Sequence, residues 1–195
     1  MTNPLAQLSS HGQSVWLDFL SRSLVGEGEL KRLIERDDVR GVTSNPSIFE
    51  KAIGHSKEYD SDIASFLKAG DRDIDTMYQH LVVADIQHAA DVLRPIYDEL
   101  EGSDGFVSLE VSPYLAMSTE DTTLEARKLW SAVQRPNLMV KVPGTKPGVP
   151  AIRTLIGEGI NINVTLLFGI AAYEAVANAY MEGLETALSK GRDIS

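Results

Sequence analysis

The chain has 195 residues, of which 43% are hydrophobic and 24% charged, and these values predict a globular protein with one sizeable core. The formal net charge of -10 would repel a phosphate backbone, which argues against nucleic-acid binding. A chain with no cysteine, no apolar run of roughly 20 residues and no secretory signal in residues 1–13 is expected to be cytoplasmic, without a membrane partner.

Five short runs of β-branched and apolar residues predict strands. In chain order they are residues 14–19, 41–45, 106–111, 138–143 and 160–168. The glycines of "VGEGEL", residues 25–30, follow the first strand but do not complete the G-x-G-x-x-G pattern. Nothing there supports a dinucleotide-binding fold.

Helical patterns separate the predicted strands. The segment 47–100 is long enough to hold two or three helices. Residues 118–133 begin with the candidate N-caps Ser118 and Thr119 and present one apolar face, formed by Leu124, Leu129 and Val133. Residues 169–190 are rich in alanine and are followed by Gly191. Strands that alternate with helices predict βα units and a parallel sheet, in an α/β fold.

One face of the predicted strands is polar, and this face separates two α/β architectures. Successive side chains of a strand point to opposite faces, so alternate residues belong together. The polar face includes Trp16, Asp18, Thr43, Asn45, Ser108, Glu110, Met139, Lys141, Asn161, Asn163 and Thr165. An open sheet covered by helices on both faces would seldom carry so many polar groups. A barrel with a reaction chamber at the C-terminal ends of its strands would carry them.

Lys141 places an ammonium group inside the apolar run "LMVKVPGT", residues 138–145. Desolvation disfavours the charged form of a lysine, and a neutral amine can attack a carbonyl carbon. The alternative is a lysine at a strand end whose amine reaches water. Asp18 and Glu110 share the polar face with Lys141 and could divide the proton transfers of an imine reaction. Either of them could instead form a structural ion pair with the lysine.

Three further polar residues have an ordinary alternative. Asn45 precedes Pro46, a pair that is typical of a turn and a helix cap. Asn163 and Thr165 are two residues apart and so lie on one side of their strand. They could be interior polar groups that neighbouring residues satisfy.

Two longer segments resemble the signature segments of the transaldolase family. They are "GVTSNPSIF", residues 41–49, and "LMVKVPGTKPGVPAIRTL", residues 138–155. "SVWLDF", "VSLEV" and "NINVTLLF" fall where that family has its first, third and fifth barrel strands. The resemblance implies a (β/α)8 TIM barrel and a class I, Schiff-base aldol mechanism in the pentose phosphate pathway. It implies no metal and no organic cofactor.

The resemblance also implies a role for each polar residue. Lys141 would form the Schiff base, and Asp18 would act as acid and base on a substrate hydroxyl. Glu110 and Thr165 would hold a catalytic water. The substrate-binding residues would be Asn45, Asn163 and Thr43, with the two asparagines holding the dihydroxyacetone portion.

The implied reaction transfers a dihydroxyacetone unit from sedoheptulose 7-phosphate to glyceraldehyde 3-phosphate. Only about five of the eight βα units are found, so residues 1–195 are expected to form a single, incomplete barrel domain. The family's phosphate-binding sixth strand is not found in the sequence. A homo-oligomer or a complementing C-terminal segment is therefore an expected partner. Two alternatives stay open: a fructose-6-phosphate-type aldolase without transfer, and a truncated, non-catalytic fragment that assembles through open sheet edges.

Overall fold

Strands and helices alternate along the computed structural model, which describes residues 3–70 and 73–194. The strands are β1 Val15–Asp18, β2 Val39–Thr43, β3 Val107–Glu110, β4 Leu138–Pro143 and β5 Ile162–Thr165. The helices are α1 Pro4–Leu8, α2 Arg22–Gly26, α3 Glu29–Asp37, α4 Pro46–Gly54, α5 Asp60–Lys68, α6 Ile74–Glu99, α7 Thr119–Val133, α8 Gly148–Ile156 and α9 Ile170–Ser189. In the described ranges, no helix combines the length and the apolarity that crossing a membrane requires.

The five strands form one sheet in the order β1-β2-β3-β4-β5. The pairs β1/β2, β2/β3 and β4/β5 are parallel. A doubly wound sheet reverses its strand order at a switch point, whereas a (β/α)8 barrel keeps its strands in chain order. The predicted fold class, a part of a (β/α)8 barrel with five βα units, is confirmed.

The strand bounds differ from the predicted ones, except at β4. β1 and β3 are each shorter by one residue at both ends. β2 begins earlier than predicted and ends at Thr43, because Asn45 is already the N-cap of α4. β5 is confined to Ile162–Thr165, since Leu166 has a φ of 56°, a left-handed conformation that does not continue a strand.

The helix signals in the sequence are mostly confirmed. The predicted segment 47–100 holds α4, α5 and α6. Ser118 caps α7, because its hydroxyl accepts a hydrogen bond from the Asp121 amide at 3.2 Å. The apolar face of α7 is partly wrong: Leu129 and Val133 are buried, but Leu124 is 48% exposed.

The described chain separates into two compact units. Unit 1 comprises the residues up to Ser108 together with Arg135–Asn137, and unit 2 comprises Leu109–Gln134 and the residues from Leu138 onward. Asn137 joins unit 1 because its buried amide donates to the carbonyls of Ala90 and Gly105, both at 2.9 Å. The single domain predicted for residues 1–195 stays a prediction.

Unit 1 holds a buried polar cluster that fixes α2, the helix that follows β1. Asp85 of α6 is 1% exposed and accepts a hydrogen bond from the Tyr59 hydroxyl at 2.6 Å. Arg22 of α2 donates to the other oxygen of Asp85 at 3.0 Å, and its guanidinium lies 4.3 Å from the centre of the Tyr59 ring. Burial and this carboxylate raise the pKa of Tyr59. The charge of Asp85 is therefore paired, as buried carboxylates require.

Unit 2 packs α8 tightly against α9. Gly183 makes this possible, since a Cβ atom there would lie 2.8 Å from the Cβ of Ile156 and 2.9 Å from the carbonyl oxygen of Arg153. The other α9 residues on the face toward α8 are buried and have small side chains: Val176, Ala179 and Ala187. Small side chains let the two helices approach, and the close contact positions α8, which follows β4.

Candidate functional site

Lys141 lies on the polar face of β4. The opposite face of the strand carries Leu138, Val140 and Val142, all of which are fully buried. The Lys141 side chain is 12% exposed. The strand therefore buries one face in the core of unit 2 and holds the amine on the other face, largely away from water.

The register of β4 and β5 places the other polar residues of unit 2. Lys141 pairs with Asn163, and Pro143 pairs with Thr165. Paired residues of parallel strands point to the same face, so the Asn163 side chain lies next to the lysine. Thr165 lies on that face as well, one step closer to the C-terminal end of β5.

Glu110 of β3 forms an ion pair with Lys141. The distance from its Oε2 to the lysine Nζ is 3.3 Å, and the carboxylate side chain is 14% exposed. The backbone supports the pair, because the Val111 amide donates to the carbonyl of Lys141 at 3.1 Å. A carboxylate this close to an amine can accept its proton or hold a water that does so.

Asp18 and Thr43 lie in one row of unit 1. Asp18 at the end of β1 pairs with Thr43 of β2, which in turn pairs with the buried Ser108. Asp18 is exposed, and within the described residues its carboxylate takes part in no hydrogen bond or ion pair. The Thr43 hydroxyl oxygen is buried and has no hydrogen-bond partner among the same residues. Neither the Asp18 carboxylate nor the Thr43 hydroxyl oxygen is therefore used in a hydrogen bond within the described residues.

Asn45 is a helix cap. Its Oδ1 accepts a hydrogen bond from the Ile48 amide at 3.0 Å, which fixes the side chain at the start of α4. That ordinary reading of the residue is confirmed. The cap uses only the oxygen, and the amide nitrogen donates to none of the described residues. The role in substrate binding stays a prediction.

The predicted residues are thus grouped by unit. Glu110, Lys141, Asn163 and Thr165 share one face of unit 2. In unit 1, Asp18 and Thr43 end their strands, and Asn45 caps α4. The chemical role of each one stays a prediction.

Sequence reasoning missed Glu125, which supports the segment after Glu110. Its Oε2 on α7 accepts a hydrogen bond from the Ser112 amide at 2.8 Å. Burial raises the pKa of the Glu125 carboxyl, against the opposing effect of this hydrogen bond. A glutamate in the middle of a helix is typical of a solvated face, so the sequence carried no signal for this contact.

Sequence reasoning also missed the hydrogen bonds that the hydroxyl groups of Thr119 and Thr145 donate. Thr119 was considered only as a helix cap, and Thr145 only as part of a motif. Each hydroxyl donates to a carbonyl of a different loop: Thr145 to Ala116 at 2.7 Å, and Thr119 to Pro147 at 2.6 Å.

The chain matches known proteins along nearly its whole length. A model of the family described as Transaldolase/Fructose-6-phosphate aldolase matches residues 15–192. The chain is 47% identical over 194 residues to "Transaldolase 2" of Nostoc punctiforme, a match that covers 100% of the chain and 51% of that protein. It is 48% identical over 194 residues to "Transaldolase" of Trichodesmium erythraeum, covering 100% of the chain and 51% of the relative.

A third relative, "Transaldolase" of Thiobacillus denitrificans, is 50% identical over 192 residues, which are 98% of the chain and 53% of that protein. The chain therefore spans about half the length of the curated relatives it matches.

The raised pKa of Glu125 predicts a pH dependence of folding. The folded chain binds a proton at Glu125 more tightly than the unfolded chain, whose glutamate has the ordinary value of 4.5. This contribution to stability is fully present below pH 4.5 and is lost as the pH rises through the raised value. Relative to wild type, Glu125→Gln should therefore gain stability between weakly acidic and neutral pH. Urea unfolding over that range tests this; parallel profiles of the two proteins would contradict it. Glu120→Gln, exposed on the same helix, is the control.

The Glu110–Lys141 pair predicts a second result. Glu110→Gln removes the carboxylate beside a largely buried ammonium and should lower the free energy of unfolding by about 3 kcal/mol. In the double variant Lys141→Met/Glu110→Gln we expect most of this loss to be recovered, because an apolar side chain suits the same surroundings. Urea unfolding measures both. A double variant less stable than Glu110→Gln would contradict this expectation. The exposed pair Arg153–Glu182 is the control: Glu182→Gln should cost less than about 1 kcal/mol.

Proposed function

The chain belongs to the transaldolase/fructose-6-phosphate aldolase family, and on that premise we propose that it carries the Schiff-base chemistry of a transaldolase. The reaction transfers a three-carbon dihydroxyacetone unit from a ketose phosphate to an aldose phosphate. Sedoheptulose 7-phosphate is the proposed donor and glyceraldehyde 3-phosphate the acceptor, in the pentose phosphate pathway of the cytoplasm. The observation that supports this most directly is the Lys141 side chain, which is 12% exposed and whose amine lies 3.3 Å from the Glu110 carboxylate.

The first step is the attack of Lys141 on the ketose carbonyl. The amine must lose a proton to become a nucleophile, and Glu110 is the nearest described base. The nitrogen adds to the carbonyl carbon, and the carbonyl oxygen then leaves as water, which gives a protonated imine. We propose that Glu110 and Thr165 hold the water that carries these protons.

The second step breaks a carbon–carbon bond. Asp18 takes the proton of the substrate hydroxyl on the carbon that becomes the aldehyde. The electron pair of the broken bond moves into the protonated imine and forms an enamine on Lys141. The aldehyde leaves, and the enamine attacks the acceptor aldehyde by the same steps in reverse. An exposed Asp18 carboxylate that forms no hydrogen bond or ion pair with the described residues suits this role.

The remaining polar residues bind the dihydroxyacetone portion in this proposal. Asn163 lies beside Lys141 in the register, so its amide can bond a hydroxyl group of the carbon chain attached to the imine. Asn45 contributes an amide nitrogen from a side chain whose oxygen is already fixed by the cap. Thr43 contributes a hydroxyl group.

A second candidate function is the release of dihydroxyacetone without transfer. The description of the matching family includes fructose-6-phosphate aldolase as well as transaldolase, which keeps this candidate open. The two reactions share the imine and the cleavage step. They differ only in whether the enamine is captured by an aldehyde or by a proton.

We also propose that a further βα segment covers an apolar face of α9. One face of this helix packs on α8, but a second apolar stripe is exposed: Ile170 by 81%, Tyr173 by 63%, Met181 by 52% and Leu188 by 59%. Phe168, just before the helix, is 92% exposed. Soluble proteins seldom expose so continuous an apolar surface. The relatives are about twice as long as the chain, so a complementing segment is the occupant that we propose.

Imine trapping tests the proposed nucleophile. Borohydride added with fructose 6-phosphate should reduce the imine to a stable secondary amine, and peptide mass mapping should find the sugar on Lys141. Lys141→Met should abolish the label, because it removes the amine. Lys146→Arg, at an exposed lysine of the following loop, should leave it unchanged. A label on another lysine in the wild-type protein would contradict the assignment of Lys141.

Turnover with and without a partner segment tests the remaining proposals. The chain is assayed with fructose 6-phosphate as the donor, first alone and then with erythrose 4-phosphate as the acceptor aldehyde. Both assays are repeated after addition of the C-terminal half of the Nostoc punctiforme relative. We expect turnover that needs both the added segment and the acceptor. Turnover without an acceptor would favour the aldolase. Family-like turnover by the chain alone, or a stable dimer of it that excludes the segment, would contradict the complementing partner.

A further inference from the structure

We propose that Thr145 and Thr119 are positioning residues that hold Glu110 and Lys141 at their contact distance. This inference rests on the proposed function, because it concerns the geometry of the same amine and carboxylate. The two threonines and their acceptors, the carbonyls of Ala116 and Pro147, are called the hydroxyl brace below. All four belong to unit 2.

The hydroxyl brace joins the two loops that follow the functional strands. Glu110 ends β3, and residues 111–118 lead from it to α7. Lys141 lies near the end of β4, and residues 144–147 lead to α8. Thr145 donates from the second loop to Ala116 in the first at 2.7 Å, and Thr119 at the start of α7 donates to Pro147 in the second loop at 2.6 Å. Two hydrogen bonds of opposite direction thus cross between the loops.

Helix capping accounts for only part of this arrangement. The Thr145 hydroxyl accepts a hydrogen bond from the Gly148 amide at 3.1 Å, which supports the start of α8. An acceptor role does not use the hydroxyl proton, and that proton goes to Ala116 on the other loop. Thr119 is not needed as a cap, since Ser118 already caps α7. Each hydroxyl proton therefore serves the connection between the loops.

The first loop, residues 111–118, is itself fixed to α7 by hydrogen bonds. The brace therefore holds the second loop, residues 144–147, against a loop whose own position is fixed. The Thr122 hydroxyl donates to the carbonyl of Leu115 at 2.8 Å, and Glu125 accepts from the Ser112 amide at 2.8 Å. Between the strands, the Val111 amide bonds the carbonyl of Lys141. The contact between Glu110 and Lys141 is thus held at the strands by this bond and beyond them by the brace. Small errors in such a contact are costly for a reaction that depends on proton transfer.

The test compares three variants, two at Thr145 and one at Thr154, by two measurements on the whole chain. Thr145→Val removes the hydroxyl at nearly constant shape, and Thr145→Ser retains it. Thr154→Val is the matched control, because the Thr154 hydroxyl donates to Pro150 within α8 at 2.9 Å and joins no loops. The first measurement is the rate at which an amine-reactive ester labels Lys141 relative to Lys146 in the substrate-free chain. The second is borohydride trapping of dihydroxyacetone on Lys141.

With Thr145→Val we expect Lys141 to be labelled roughly fivefold faster, the factor that corresponds to one lost hydrogen bond of about 1 kcal/mol. Trapping of dihydroxyacetone should slow by at least a similar factor. Thr145→Ser should restore both rates, and Thr154→Val should change neither. A Thr145→Val protein with a lower melting temperature but wild-type labelling and trapping of Lys141 would reduce Thr145 to a helix cap and overturn the proposal.

Thr119→Val keeps the test decisive if Thr145→Val does not fold, since it removes a bond of the brace and leaves the α8 cap intact. It should change both rates in the same sense as Thr145→Val, and unchanged rates would overturn the proposal. The amine-labelling measurement is independent of the proposed function. If dihydroxyacetone is trapped on Lys141 neither in wild type nor in any variant, even after addition of the C-terminal half of the Nostoc punctiforme relative, the proposed function fails, while the labelling rates still decide the brace.

Discussion

The ion pair between Lys141 and Glu110 is the interaction on which the candidate site depends. The Lys141 side chain is 12% exposed, and the Glu110 carboxylate lies 3.3 Å from its amine. Such a pair costs free energy to desolvate and regains it only through close contact. Replacing such a pair by well-packed apolar residues is often neutral or stabilising. The placement is therefore better explained by chemistry than by stability.

Within each unit, the grouping of the polar residues follows from the parallel arrangement of the strands. Because paired residues of parallel strands point to the same face, the β4/β5 register brings Asn163 next to Lys141, and the β1/β2 register brings Thr43 next to Asp18. Strand pairing alone brings these residues together within each unit, without any contact between loops. The segments after β3 and β4 contribute something different: the hydroxyl groups of Thr145 and Thr119, and Glu125 of α7, form hydrogen bonds with the loops that follow Glu110 and Lys141.

Much of the fold could be predicted from the sequence because it depends on local periodicity. All five strands, two or three helices between 47 and 100, and the cap at Ser118 were predicted from patterns of apolar residues and capping signals. Errors arose where a local pattern competed with tertiary structure. Leu124 fits the helical period of α7 but is 48% exposed. Residues 166–168 continue the apolar run of β5, yet the left-handed backbone at Leu166 ends the strand before them.

By itself, the sequence determined the alternation of strands and helices, the polar face that favours a barrel over a doubly wound sheet, and the lysine in an apolar run. These features depend on the period of side chains along a strand or a helix, which is a local property. Only the tertiary structure decided which groups meet: Glu110 with Lys141, Asp85 with Arg22 and Tyr59, and the threonine hydroxyls with the carbonyls of opposite loops. Those contacts join residues up to 63 positions apart, and their distances depend on packing that no local pattern encodes.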